Sequence, residues 1–273
     1  MFSGKLPNAL TIAGSDSGGG AGIQADLKTF ASLGVYGTSV ITALTAQNGM
    51  GVTGIHAPSA DFVIQQLRAV LDGFPIHAAK TGMLFSAEII EALANELKHT
   101  DFPLVLDPVC VSTSGHRLIE ENAVEVMKEK LFPLATLITP NKPETEVLTG
   151  VKLVDNESVE KSGKMLLDMG AKAVLIKGGH FEEKPILVTD WFLDSTGIQK
   201  LQQPHVDTQN SHGTGCTLSS AITAYLAKDQ PLIVAIKKAQ EYLNCALRNS
   251  YAPGKGIGPV HHLATIEQLN HRR

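Results

Sequence analysis

Short apolar runs alternate along this chain with longer segments whose apolar residues recur at helical spacing. The first run, 10–13, breaks into a glycine-rich stretch at 14–22. A helical pattern follows over 22–33, with Ile23, Leu27, Phe30 and Leu33 on one face. Buried strands are predicted at 39–44, near 77–80, and at 103–106, 136–138 and 173–176. An additional strand is predicted at 52–56, after the Asn48-Gly49 turn. Helices are predicted over 59–71 and 86–97, where Ser59 and Ser86 can cap the first turn. Others follow over 120–131, after Asn141, and over 158–169, which Gly170 closes. Residues 186–193 and the stretch after Gly197 read as a hairpin, and helices over 217–228 and 231–250 finish the pattern.

Strands alternating with helices imply right-handed crossovers and an α/β fold, a mostly parallel sheet covered on both faces. No linker, repeat or composition break interrupts the sequence, so residues 1–273 read as one domain. In such sheets ligands bind beyond the carboxyl ends of the strands. Asp16, Gln47, Met83, Asp107, Asn141, Glu144, Lys177 and Cys216 all fall there, just after predicted strands or at the helix starts that follow.

Charge and cysteine usage narrow the partners. The formal charge of −4 gives no electrostatic reason to expect nucleic acid or an anionic membrane. No apolar run approaches the roughly 18 residues that a transmembrane helix needs. Asp16 follows the first apolar run too soon for a signal peptide. Cys110, Cys216 and Cys245 are odd in number and lack a C-x-x-C pair, which favours a reducing compartment over a disulfide scaffold or structural zinc. The cytoplasm is the expected location.

The candidate chemistry centres on Gly213-Thr214-Gly215-Cys216, at the start of a helical pattern. Two glycines let successive N–H groups point at one spot, and the positive helix end adds to the field, making an anion cradle. The same placement is expected to lower the Cys216 thiol pKa. Gly20-Ala21-Gly22-Ile23-Gln24-Ala25 satisfies a relaxed dinucleotide-binding pattern, but no Asp or Glu lies between Asp26 and Asp61 to meet a ribose. A P-loop is absent, because Gly4-Lys5 and Gly254-Lys255 are not followed by Ser or Thr.

Eight blocks taken together resemble one family. They are 10–16 (Leu-Thr-Ile-Ala-Gly-Ser-Asp), 19–30, Thr45-Ala46-Gln47-Asn48, Lys80-Thr81-Gly82-Met83-Leu84, Asp107-Pro108-Val109, Ile138-Thr139-Pro140-Asn141, Lys177-Gly178-Gly179-His180 and His212-Gly213-Thr214-Gly215-Cys216-Thr217. In this order they are similar to the hydroxymethylpyrimidine/phosphomethylpyrimidine kinases of thiamine biosynthesis, within the ribokinase-like group. Related pyridoxal kinases share most of these blocks. The resemblance implies a ribokinase-like fold and phosphorylation of 4-amino-5-hydroxymethyl-2-methylpyrimidine, then of its monophosphate, with ATP and Mg²⁺. It also implies a small-molecule pyrimidine as partner, and a homodimer is expected.

Site roles follow from the resemblance. Cys216 is the implied base, with the N–H groups of Gly213, Thr214 and Gly215 around the moving phosphoryl group. Asn141 and Glu144 match an Asn-x-x-Glu motif that supports magnesium and phosphates, and Asp107 is placed on the metal side. Alone, Glu144 would be a first-turn carboxylate favouring the helix dipole. Gln47 is implied to read the aminopyrimidine, with Gly14, Met83 and Val109 lining the ring pocket. Asp26 is assigned to the substrate side, although a structural hydrogen bond is the plainer reading of its helix position. Lys177 and His212 are phosphate candidates, as is His180, though a loop histidine is the plain reading of both histidines. Cys110 replaces the methionine frequent after Asp-Pro-Val, and Asn48-Gly49-Met50 departs from the usual Asn-Thr. A pyridoxal kinase, a non-catalytic binding protein and a cysteine hydrolase are the alternatives weighed. The hydrolase lacks any visible group to orient His212.

Overall fold

The structure is a computed structural model that describes residues 5–110, 119–120, 122–179, 181 and 186–264. His180 lies outside the described residues. The first half of the chain forms β1 (Asn8–Asp16), α1 (Gly22–Ser32), β2 (Tyr36–Asn48), β3 (Gly51–His56), α2 (Ala60–Gly73), β4 (Ala78–Thr81), α3 (Ala87–Leu97) and β5 (Leu104–Leu106). The second half forms α4 (Ala123–Lys130), β6 (Leu137–Ile138), α5 (Lys142–Thr149), α6 (Asn156–Asp168), β7 (Ala173–Ile176), β8 (Leu187–Asp194), β9 (Gly197–Pro204), α7 (Thr214–Ala227) and α8 (Leu232–Arg248).

One nine-stranded sheet runs β3-β2-β1-β4-β5-β6-β7-β8-β9. β2, β1, β4, β5, β6 and β7 pair in parallel, while β3 at one edge and β8 and β9 at the other are antiparallel. Successive strand residues point to opposite faces, and the core divides accordingly. Leu10, Ala79, Leu106 and Ile138 join Val63, Leu67, Ile90 and Leu93 on one face. Their neighbours Ala9, Ala78, Val105 and Leu137 join Phe30, Leu218, Ile222 and Ile236 on the other. Helices α2, α3, α4 and α6 therefore cover the first face, and α1, α7 and α8 the second.

Local chemistry sets the element ends. The Ser59 and Ser86 side chains accept from the N–H groups of Phe62 and Ile89, as their positions predict. α6 begins at Asn156, earlier than expected, because Asp155 and Ser158 form a reciprocal capping box. β2 runs well past the predicted 39–44, since its far half pairs with β3 as an exposed flap whose side chains alternate rather than form a buried run. α7 starts at Thr214, so the Gly-Thr-Gly-Cys stretch is itself the first turn. Beyond α8 the chain crosses the mouth of the sheet: Ile257 N–H donates to the Gly49 carbonyl at 2.7 Å and His212 N–H to that of Gly258 at 3.1 Å. Among the described residues no helix is long and apolar enough to cross a membrane.

Candidate active site

The glycine-rich loop after β1 wraps around the Asp16 carboxylate. Asp16 accepts from the N–H groups of Gly18 (2.8 Å), Gly20 (3.0 Å) and Ala21 (2.8 Å). His212 Nε2, 196 positions away, sits 2.9 Å from Asp16 Oδ2. Burial alone would push this carboxyl up, but the His212 and Ala21 hydrogen bonds prevail and hold it below the ordinary carboxylate range. The loop thus closes on a carboxylate of its own, which removes any need for a dinucleotide to explain its glycines.

The same loop meets the start of α7. Gly213 takes the left-handed conformation, with φ of 79°. A Cβ there would collide with the Gly20 carbonyl oxygen, so only glycine allows this approach. Of the three expected cradle donors, Thr214 N–H is already given to the Ser211 carbonyl at 3.2 Å. That leaves the Gly213 and Gly215 N–H groups as the candidates to face an anion. Cys216 lines the cavity at this turn. Its thiol corrects the expectation from helix position: burial pushes it up to about 11, outweighing the nearby Lys80 ammonium and the Gly22 N–H. Desolvation disfavours the thiolate more than one helix end favours it.

A second cluster lies across the cradle. Lys177, at the end of β7, places Nζ 2.9 Å from Asp107 Oδ1 and 3.8 Å from Glu144 Oε2. Thr139 Oγ1 donates to Asp107 Oδ1 at 3.1 Å and Ser219 Oγ to Oδ2 at 3.4 Å. Burial works against the Lys177 charge, yet Asp107 and Glu144 outweigh it and raise its pKa. For Asp107 burial is likewise overcome, by Lys177 and Lys80, and the carboxyl stays below its usual range. Glu144 goes the other way: burial, with Asp107 adding to it against Lys177, pushes it up to about 7. Asn141 and Glu144 bond each other across the start of α5, Asn141 N–H giving to Glu144 Oε2 at 2.8 Å and Glu144 N–H to Asn141 Oδ1 at 2.9 Å. The motif is thus a capping box whose carboxylate also faces Lys177. A Cβ added to Gly215 would lie 3.3 Å from Lys177 Nζ, so the cation reaches the cradle.

One cavity of about 690 Å³ joins these parts, a volume typical of small-molecule sites. Gly14, Gln47, Met83 and Val109, the residues assigned to a ring pocket, are among its lining. Val188 of β8, His205 just past β9, and Leu243 and Asn244 of α8 line it as well. Cys216, Asn141, Glu144, Asp107, Lys177, His212, Gly213, Thr214 and Gly215 line the same cavity. Asp26 does not line the cavity. It is completely buried, accepting from Thr11 Oγ1 at 2.5 Å, from Ser220 Oγ, and from Lys80 Nζ at 3.0 Å. With its oxygens spent on these donors it cannot meet a substrate, and the structural hydrogen bond is the correct reading. Lys80, Ser219 and the contact of Asp16 with His212 escaped the sequence reading. Their partners are far along the chain: Asp26 for Lys80, Asp107 for Ser219 and His212 for Asp16.

The 16–261 segment matches the model of the phosphomethylpyrimidine kinase family. A hydroxymethylpyrimidine/phosphomethylpyrimidine kinase of Haemophilus influenzae is 49% identical over 95% of this chain and 98% of its own length. The thiamine biosynthesis bifunctional protein ThiED of Geobacter sulfurreducens is 48% identical over 100% of this chain, which spans only 56% of that protein. The ADP complex of Bacillus subtilis pyridoxal kinase superposes with a TM-score of 0.88 at 36% identity, covering 96% of this chain and 99% of that one. The ribokinase-like architecture implied by the sequence blocks is the one found. A kinase cradle, a buried cation between two carboxylates and nearly full-length kinship agree: the chain belongs to the phosphomethylpyrimidine kinase family and is a phosphotransferase.

Proposed function

We propose that this chain transfers the γ-phosphoryl group of ATP to the hydroxymethyl oxygen of 4-amino-5-hydroxymethyl-2-methylpyrimidine, and then phosphorylates the monophosphate to the diphosphate. The observation that carries this reading is one cavity lined by Gly14, Gln47, Met83 and Val109, by Leu243 and Asn244 of α8, and by the first turn of α7. The ring sits against Gly14, Met83 and Val109, with Gln47 offering an amide donor and acceptor to the aminopyrimidine edge. The nucleotide enters from the α8 side and lays its phosphates toward Lys177 and the Gly213 and Gly215 N–H groups. Those donors stabilise charge on the equatorial oxygens as the phosphoryl group moves. Cys216 takes the alcohol proton as its thiolate, late in a loose transition state.

The donor set fits magnesium. Asp107 and Glu144 are buried hard-oxygen ligands beside the phosphate path, and Mg²⁺ commonly takes one or two carboxylates together with substrate phosphates and water. Bound between them and the nucleotide, the ion would neutralise charge on the β- and γ-phosphates. Residues 1–273 act as one cytoplasmic kinase domain in this reading. A homodimer across the flap is part of it, since Leu44 and Met50 are 47% and 71% exposed there.

An ATP-coupled assay over the pyrimidine alcohol, its monophosphate and pyridoxal tests the proposal. Turnover of the first two above pyridoxal is expected. Outright preference for pyridoxal would assign the chain the activity named for its Bacillus subtilis structural relative.

A further inference from the structure

His212, Asp16 and Gln47 meet in the lining of the cavity. Asp16 already accepts three backbone N–H groups and has only acceptor oxygens to offer His212 Nε2 at 2.9 Å. The ring proton must therefore sit on Nε2. Gln47 Nε2 lies 3.4 Å from that same nitrogen, which would set donor against donor. On the other side, Thr45 Oγ1 gives its single proton to the Ser15 carbonyl at 2.9 Å. To Gln47, 3.1 Å away, it can then offer only a lone pair. A half turn of the amide removes both mismatches: its nitrogen donates to Thr45 Oγ1, and its oxygen takes a secondary, bifurcated share of the Nε2–H that His212 gives to Asp16. The remaining N–H and lone pair then face the cavity in one fixed order.

We propose that Asp16 and His212 are positioning residues that fix which way round the Gln47 amide meets the substrate, and so set the hydrogen-bond pattern the pocket accepts. This rests on the reading that Gln47 faces an aminopyrimidine. An edge with an acceptor nitrogen beside an amino group matches one order of donor and acceptor and mismatches the reverse. A pocket built this way rejects the wrong edge because its own polar groups are left unpaired.

The test is kcat/KM for the pyrimidine alcohol and pyridoxal in wild type, Asp16→Asn, and each in a Gln47→Leu background. An amide at position 16 can donate to His212, moving the ring proton to Nδ1 and releasing Gln47 to turn. The pyrimidine-to-pyridoxal ratio should fall about tenfold, mostly through KM, as expected for one misplaced hydrogen-bonding group. In the Gln47→Leu background the same change should leave the ratio where it was. An equal loss for both alcohols, or full additivity, overturns the proposal. Because Asp16 also anchors its loop, His212→Gln and His212→Leu provide a second comparison. The glutamine, which keeps a donor, should hold the ratio and the leucine should lose it; the same ratio in both overturns the proposal. Nitrogen-15 histidine spectra of the wild type decide the tautomer whichever alcohol is preferred. A His212 proton on Nε2 is expected, and one on Nδ1 overturns the inference even where the pyrimidine kinase activity is confirmed. A wild type that prefers pyridoxal instead removes the parent reading and leaves the tautomer result standing by itself.

Discussion

Lys80 and Asp26 form an ion pair with neither side chain reaching solvent, Nζ lying 3.0 Å from Oδ1. Such a pair is costly to halve, because the survivor is left charged in a dry interior. Lys80→Met should destabilise the protein by roughly 3–5 kcal/mol, the usual range for removing one partner of a buried pair. Urea unfolding checks it. Asp26→Asn should act in the same direction and leave the ratio of kcat/KM for the two alcohols unchanged. A shifted ratio would mean that residue 26 reaches the substrate after all.

The second prediction concerns the Cys216 thiol, which burial raises to about 11. Below that value the thiolate fraction grows about tenfold per pH unit. If the thiolate is the base, kcat should climb through the neutral and mildly alkaline range. Cys216→Asp, ionised throughout that range, should give a flat profile. Cys216→Ala should lose roughly 10²–10⁴ in rate, as general-base removal does, while still binding ATP. Wild-type turnover from the alanine variant would remove the base from the mechanism.

Glu144 separates a metal role from a local one. Glu144→Gln removes the charge beside Lys177 and keeps the side-chain volume. Rate measured against magnesium concentration should show a raised requirement. As a helix-end carboxylate alone, the residue would account for roughly 0.3–1 kcal/mol of stability, and the magnesium curve would not move.

Gly213→Ala tests the close approach of the two loops. Its φ of 79° strains an L-residue, and the new Cβ meets the Gly20 carbonyl. The cradle must then shift, and a displacement near 1 Å at a reacting centre costs about 10²-fold. A kcat loss of that size with KM for ATP less affected is the expected result. Unchanged kcat would place the moving phosphate elsewhere.

How far the sequence reading reached differs by element. Ser59, Ser86 and Gly170 announced helix ends because caps are local chemistry. The strands were visible as apolar runs until β2 left the core, where a two-sided exposed flap carries no such run. Cys216, Lys177 and Gln47 were found by their place after strands, which topology alone brings to one rim. The Asp16–His212 contact was hidden by a separation of 196 positions. The direction of the Cys216 shift was misjudged for a related reason. Helix ends can be read along the chain, whereas desolvation comes from everything folded over the sulfur.

The stretch that leaves α8 and crosses to the flap has a practical meaning for chimeric enzymes. Its Ile257 amide holds the Gly49 turn, and its Gly258 carbonyl holds the His212 amide. The Gly49 turn and the residue that precedes the Gly213 turn are thus laced by one ribbon that follows α8. Grafting a foreign β2–β3 tip to change the substrate would leave that ribbon mismatched at Gly49 and pull on His212. The exchangeable cassette is discontinuous: the turn and the ribbon must travel together.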